Sequence, residues 1–324
     1  MKNETKREPR GPRARRKQWI VREQIAMPRA SFEELEIRGS DGSILRALVD
    51  DPPEDVATEI RATLVLAHAM FARKSSFGKR DRPGLSSALT KRGYRTIAFD
   101  FRGHGDSKPP PTSHDWGYDD LVRLDLPAVV ECARARSEGK PVLVVGHSLG
   151  GHVATAAQGT GRMDADAIVL LGGNVWLREL EPSRLRWAAK LAFSRATLRI
   201  SSRFTHGIPA RRLRFGSDDA SERYVEDIFG FATHGEWKSR DRHDDYLASL
   251  ANVKIPVAAV VGDRDRIMCH PRSGEAFARR CAGPVAIFHA RHAGHMALVT
   301  SELAHPTVID AIEWAMARLP GSAR

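Results

Sequence analysis

Pro141-Val142-Leu143-Val144-Val145-Gly146-His147-Ser148-Leu149-Gly150 is an apolar run that breaks into a glycine-flanked serine and continues as a helical stretch, Leu149 to Ala157. The run has the composition of a strand buried on both faces. The two glycines permit a tight strand-to-helix turn, because a Cβ at either position would crowd the neighbouring elements, and the serine is left projecting from it. Free N–H groups and the positive dipole end of the following helix favour a developing negative charge beside that serine. With 26 glycines in 324 residues the G-x-S-x-G spacing is weak by itself. The strand before it and the helix after it give it weight.

Outward from this turn, Thr63 to Ala67, Thr96 to Phe99, Ala167 to Leu171, Val257 to Val261 and Val285 to Phe288 are also continuously apolar. Helical stretches near Leu85 to Lys91, Leu121 to Ala135 and Gly274 to Arg280 alternate with them. This is the pattern of parallel strands joined by crossover helices, and it predicts an α/β fold whose central sheet is mostly parallel, with these strands buried at its centre. Phe32 to Ile37 and Ile44 to Val49, around Asp41-Gly42, read as an antiparallel hairpin leading the sheet. Val308, Ile312, Ala315, Met316 and Leu319 recur on one helical face that should close it. The rhythm breaks between Leu177 and Asn252, which is helix-like and charged with no buried-strand run. The expected organisation is a basic tail at 1–25, a core at 26–176 and 253–324, and an inserted helical cap at 177–252.

A serine hydroxyl needs a base and an orienting carboxylate to act as a nucleophile. Both are available at later strand ends, where open α/β sheets carry their sites. Val257 to Val261 runs into Gly262-Asp263-Arg264-Asp265, and Val285 to Phe288 is followed by Arg291-His292-Ala293-Gly294-His295. The order Ser, Asp, His is thus present, with Asp263 or Asp265 as acid and His292 or His295 as base.

At these residues the chain resembles the α/β-hydrolase superfamily, in its serine esterase and lipase branch. Asp100-Phe101-Arg102-Gly103-His104-Gly105-Asp106-Ser107 is similar to that family's turn after the fourth strand, and Leu66-Ala67-His68-Ala69-Met70 stands where the family has its oxyanion loop. The resemblance implies Ser148 as nucleophile, Asp265 as acid and His295 as base, with the backbone N–H groups of Leu149 and Met70 holding the oxyanion. It implies His68 as a brace for the loop, a helical lid over the site, and cleavage of a small-molecule ester with an apolar acyl or alcohol part through an acyl-enzyme. Thioester cleavage, acyl transfer, or a receptor that retains the triad use the same constellation. Ala69 departs from the family's usual glycine, and its Cβ narrows the approach to the oxyanion pocket. Trp176, read as closing the sixth strand, joins Met70, Phe71 and Met268 as an apolar pocket wall.

Composition bounds the rest. Hydrophobic residues at 42% and charged residues at 28% are those of a globular chain. The three cysteines, Cys132, Cys269 and Cys281, make neither a disulfide framework nor a zinc pattern, and no His, Asp and Cys set has metal-ligand spacing, so neither metal nor cofactor is expected. Without an apolar leader or a long apolar span, a cytoplasmic setting is expected. Met1 to Ile25 holds nine basic residues against three acids. It lacks stacking aromatics and reads as a solvated tail rather than a nucleic-acid site. From Arg184 to Arg214 there are nine basic residues and no acid, interleaved with Trp187, Leu191, Phe193, Leu198, Ile200 and Phe204. Two readings follow: a peripheral contact with an anionic membrane, or a solvated face paired with the acidic stretch Asp218 to Asp227.

Overall fold

A computed structural model describes residues 32–56, 59–79, 82–112, 115–201 and 217–320. The basic run at 1–25 and the cap residues Arg203, Phe204, Arg211, Arg212 and Arg214 lie outside the described residues. Eight strands, β1 (Phe32–Arg38), β2 (Ile44–Asp50), β3 (Ala62–Ala67), β4 (Tyr94–Phe99), β5 (Val142–His147), β6 (Ala167–Leu171), β7 (Val257–Gly262) and β8 (Val285–Ala290), form one sheet. Their order is β1-β2-β4-β3-β5-β6-β7-β8. β1 and β2 are an antiparallel hairpin, β2 is antiparallel to β4, and every pairing from β4 to β8 is parallel.

The buried strands explain their own sequences. β3, β5, β6 and β7 are buried at every position, so each residue meets a layer of helices whichever way it points. Val65, Val144 and Ala259 join one core cluster with Leu126, Val153 and Phe277. Leu64, Val145 and Ala258 join the other with Leu85, Val308 and Ile312. Each fully buried Val, Leu or Ile stabilises by about 1.5–3 kcal/mol before chain entropy is counted. The C-terminal helix, His305–Met316, buries Val308, Ile309 and Ile312 against the sheet, and Leu319 is buried beyond its end.

Two expectations are corrected. Val285 to Phe288 is not a central strand: β8 is the sheet edge and its first residues are half-buried, because only one side has a strand to pair with. Trp176 does not close β6, which ends at Leu171; it lies in the loop that follows.

Between β6 and β7 the chain leaves the sheet. Helix Arg184–Ser201 packs against helix Glu222–His234, which is capped by Ser221 at its start and by left-handed Gly235 (φ 74°) at its end. The second helix sits on the turn after β4, with the Tyr224 ring 4.6 Å from Trp116 and 5.8 Å from His104. The first is fastened by Glu181, which accepts from Lys190 Nζ (2.9 Å), Arg186 Nε (3.0 Å) and Ser273 Oγ (3.0 Å) of helix Pro271–Ala278. Burial raises the Glu181 carboxyl, but the bonds from Lys190, the Ser183 amide and Ser273, with the Lys190 charge, outweigh it and hold it at about 2. In the acidic stretch from Asp218 to Asp227, Asp218 bonds Arg73, and Glu226 and Asp227 bond Arg240. Among the described residues no helix is long and apolar enough to cross a membrane.

Candidate active site

β5 delivers Ser148 at a turn that only this sequence pattern permits. Ser148 has φ 52° and ψ −109°, a conformation that costs an L-residue about 1–3 kcal/mol and persists only where surrounding structure enforces it. That enforcement is visible. Ser148 N donates to Leu171 O at 2.9 Å, and Gly150 N donates to His68 O at 3.2 Å. A Cβ on Gly146 would lie 2.5 Å from the backbone of Gly150 and Gly151, and one on Gly150 would lie 2.3 Å from the Ala67 carbonyl oxygen. The turn therefore packs backbone on backbone, and the serine opens helix Leu149–Gly159.

β7 and β8 deliver the other two groups. His295 Nδ1 and Asp265 Oδ2 are 2.5 Å apart, with the carboxylate side chain 3% exposed and the imidazole 13%. Burial raises the Asp265 carboxyl, yet the hydrogen bond from His295 and those from the Cys269 and Met268 amides outweigh it and hold it below the usual range. The ionised carboxylate accepts, so Nδ1 carries the proton. The opposite nitrogen, Nε2, is buried and bonds no described group. The ring lies against the elbow: His147, which precedes the serine, has its ring centroid 5.0 Å away, and a Cβ on Gly172 would lie 3.2 Å from His295 Nδ1.

The loop after β3 closes the remaining side. His68 is fully buried; Phe101 N donates to its Nε2 at 3.1 Å, so its proton sits on Nδ1 and goes to Ala69 O at 2.8 Å. Burial, with His104 alongside, pushes its pKa well below the ordinary value and keeps it neutral. The ring thus ties the β3 loop to the β4 turn. The N–H groups of Met70 and Leu149 donate to no other described residue, and Leu149 is the first residue of its helix, whose leading N–H groups have no intrahelical acceptor. Ala69 is buried, and Phe71 takes φ 59°, so the loop bends sharply just past these donors.

The alternatives at each strand end separate by burial. Asp263 is exposed, and exposed His292 meets the Arg264 guanidinium at 3.2 Å. Met70 and Phe71 are half-buried against the core, whereas Met268 is 44% exposed on the rim. Trp176 stacks edgewise on Phe193 and Phe229, and its Nε1–H donates to Met268 O at 3.0 Å. Three contributors carried no sequence signal: the Met268 and Cys269 amides, which are backbone, and His147, whose Nε2 lies 3.1 Å from His295 O. Burial lowers His147 to about 3, so it is neutral and donates to that carbonyl. Two open clefts, of about 510 Å³ beside Glu226 and Arg240 and about 810 Å³ beside Arg46 and Lys108, are lined by none of Ser148, Asp265 and His295.

Lysophosphatidylserine lipase ABHD12 of Macaca fascicularis is 34% identical over 102 residues, 32% of this chain and 23% of that protein. The Xenopus tropicalis protein of the same name is 41% identical over 78 residues, 24% of this chain and 19% of that one. The matched segments span about a fifth of the length of these relatives. Esterase Pf2001 of Pyrococcus furiosus superposes with a TM-score of 0.59 at 19% identity, covering 89% of this chain and 92% of that one. Monoacylglycerol lipase of Paleococcus ferrophilus does so with 0.56 at 19%, covering 84% and 98%. These structures share the fold. A match to the Alpha/beta hydrolase family runs over residues 64–308, and the chain belongs to that family.

Proposed function

We propose that the chain hydrolyses carboxylic esters with an apolar acyl or alcohol part, by way of an acyl-enzyme on Ser148. The observation that carries this reading is the imidazole of His295, with one nitrogen bonded to Asp265 at 2.5 Å and the other buried, without a partner among the described residues, and beside the serine turn. In the first half-reaction Ser148 Oγ attacks the ester carbonyl while its proton passes to His295 Nε2, and Asp265 stabilises the imidazolium. The oxyanion is held by the N–H groups of Leu149 and Met70. The imidazolium then protonates the leaving alkoxide, and water repeats the sequence on the acyl-enzyme to release the acid. Residues 177–252 act as a cap, with Phe71, Trp176 and Met268 as the apolar wall that receives the acyl chain. The partial likeness to lysophosphatidylserine lipases makes single-chain phospholipids the lipid esters to test first.

The test profiles p-nitrophenyl esters of rising acyl length together with lysophosphatidylserine, and labels the protein with a fluorophosphonate. Turnover of at least one ester class is expected, with label on Ser148. Ser148→Ala should abolish both, a loss of about four to six orders of magnitude in rate. Labelling or turnover that survives Ser148→Ala overturns the assignment.

A further inference from the structure

Helix Arg184–Ser201 is built inside out. The residues it buries are Lys190, Ser194 and Ser201, and both serine hydroxyls are without a hydrogen-bond partner among the described residues. The residues it turns to solvent include Leu185, Ala189, Ala192, Phe193, Ala196 and Ile200, spaced mainly by three and four so that they form a stripe. Leu185 is 82% exposed, Phe193 52% and Ile200 46%. A surface helix ordinarily puts such a stripe inward. Single exposed apolar residues need no explanation, but a contiguous apolar face marks a surface that something covers.

The stripe continues toward the triad. Phe193 meets Trp176 at 6.1 Å between ring centroids, and Trp176 holds Met268 O. Ile267 and Met268, just past Asp265, and Met296, just past His295, are exposed as well. One apolar surface therefore joins the helix to the rim of the site.

Charge selects the occupant. The helix exposes Arg184 and Arg195 beside the stripe and contains no acid. A second copy docking about a two-fold axis would bring these arginines toward one another with no carboxylate on the helix to offset them. The run at 1–25 of this chain, nine basic residues against three acids, has the same sign. An anionic bilayer supplies both hydrocarbon for the stripe and negative headgroups for the guanidiniums. We propose that the outer face of Arg184–Ser201 docks on an anionic phospholipid bilayer, with the Ile267, Met268 and Met296 rim turned to the lipid. This deepens the ester-hydrolase reading by stating where its lipid substrates are met.

The experiment is co-sedimentation of the full chain carrying Ser148→Ala with vesicles of phosphatidylcholine alone or doped with phosphatidylglycerol, at low and high salt. Because it reads binding without turnover, failure of the hydrolase reading leaves its result untouched. The two engaged arginines predict roughly a thirtyfold preference for the anionic vesicles at low salt, shrinking as salt rises. Leu185→Gln with Ile200→Gln should lower vesicle binding at least about tenfold, since both exposed side chains lose their transfer into hydrocarbon while the basic tail is unchanged. Their melting temperature should match the parent, and Arg184→Gln with Arg195→Gln should remove part of the salt-sensitive preference. Equal binding to both vesicle types overturns the proposal, as does binding that the Leu185 and Ile200 pair leaves unchanged. A dimer that those substitutions dissociate, in place of vesicle binding, would assign the stripe to a second copy.

Discussion

Trp176 acts through two parts of its side chain. Its ring stands against Phe193 and Phe229, while its N–H holds the carbonyl of Met268, and the neighbouring amides of Met268 and Cys269 bond Asp265. Trp176→Phe keeps an apolar ring and loses the N–H, so kcat is expected to fall up to about tenfold, the worth of one hydrogen bond, with KM little changed. Trp176→Ala should raise KM as well, and steady-state kinetics of the two variants separate the roles. His295→Ala is expected to lower kcat about ten-thousandfold, as loss of a catalytic base does. His292→Ala, at an exposed residue that meets Arg264, should stay within about twofold; the reverse pattern would exchange the two histidines. The serine turn is legible in sequence because its requirement is local: two positions where a Cβ cannot fit. Asp263 against Asp265 is not, since the pair differ by burial and by amide donors that no side-chain pattern encodes.

At the scale of elements, the helix Arg184–Ser201 shows where periodicity misleads. Trp187, Leu191 and Leu198 are only partly buried, and the fully buried members are Lys190, Ser194 and Ser201. The orientation is set by an ion pair the sequence does not announce, Lys190 to Glu181, both under 3% exposed and joined by Ser273 from the helix after β7. Breaking a buried pair leaves an uncompensated charge and costs about 3–5 kcal/mol, so Glu181→Gln or Lys190→Met should each loosen the helix. Limited proteolysis should then cut within 177–252 before global unfolding, and the double substitution Glu181→Met, Lys190→Met should restore most of the protection. β8 was legible as a strand but not as an edge. Strand order depends on which helix crosses which face, and nothing in Val285–Ala290 itself encodes that.

For the whole molecule, two buried carboxyls pull stability in opposite directions with pH. Burial raises Asp50 to about 6 from the ordinary 3.8, only partly offset by the Ser86 hydroxyl, so the folded chain holds that proton more tightly and loses stability as pH rises from about 4 to 6. Glu181, held at about 2 against an ordinary 4.5, contributes stability above 4.5 that is lost as pH falls toward 2. Asp50→Asn should therefore raise stability at neutral pH by about 1 kcal/mol after allowance for solvent screening, and change little below pH 4. Thermal melting at the two pH values checks it. The alternation of apolar runs and helices made the parallel sheet legible, since burial on both faces imposes it at every central strand. The strand order has a temporal consequence as well. Domains form as the chain emerges from its N-terminal end. β3 to β6 and the serine turn are synthesised before β7 and β8, so the serine is made well ahead of Asp265 and His295. On the proposed mechanism, reactivity would wait for the last strand, at the outer edge of the sheet, and the loop that follows it.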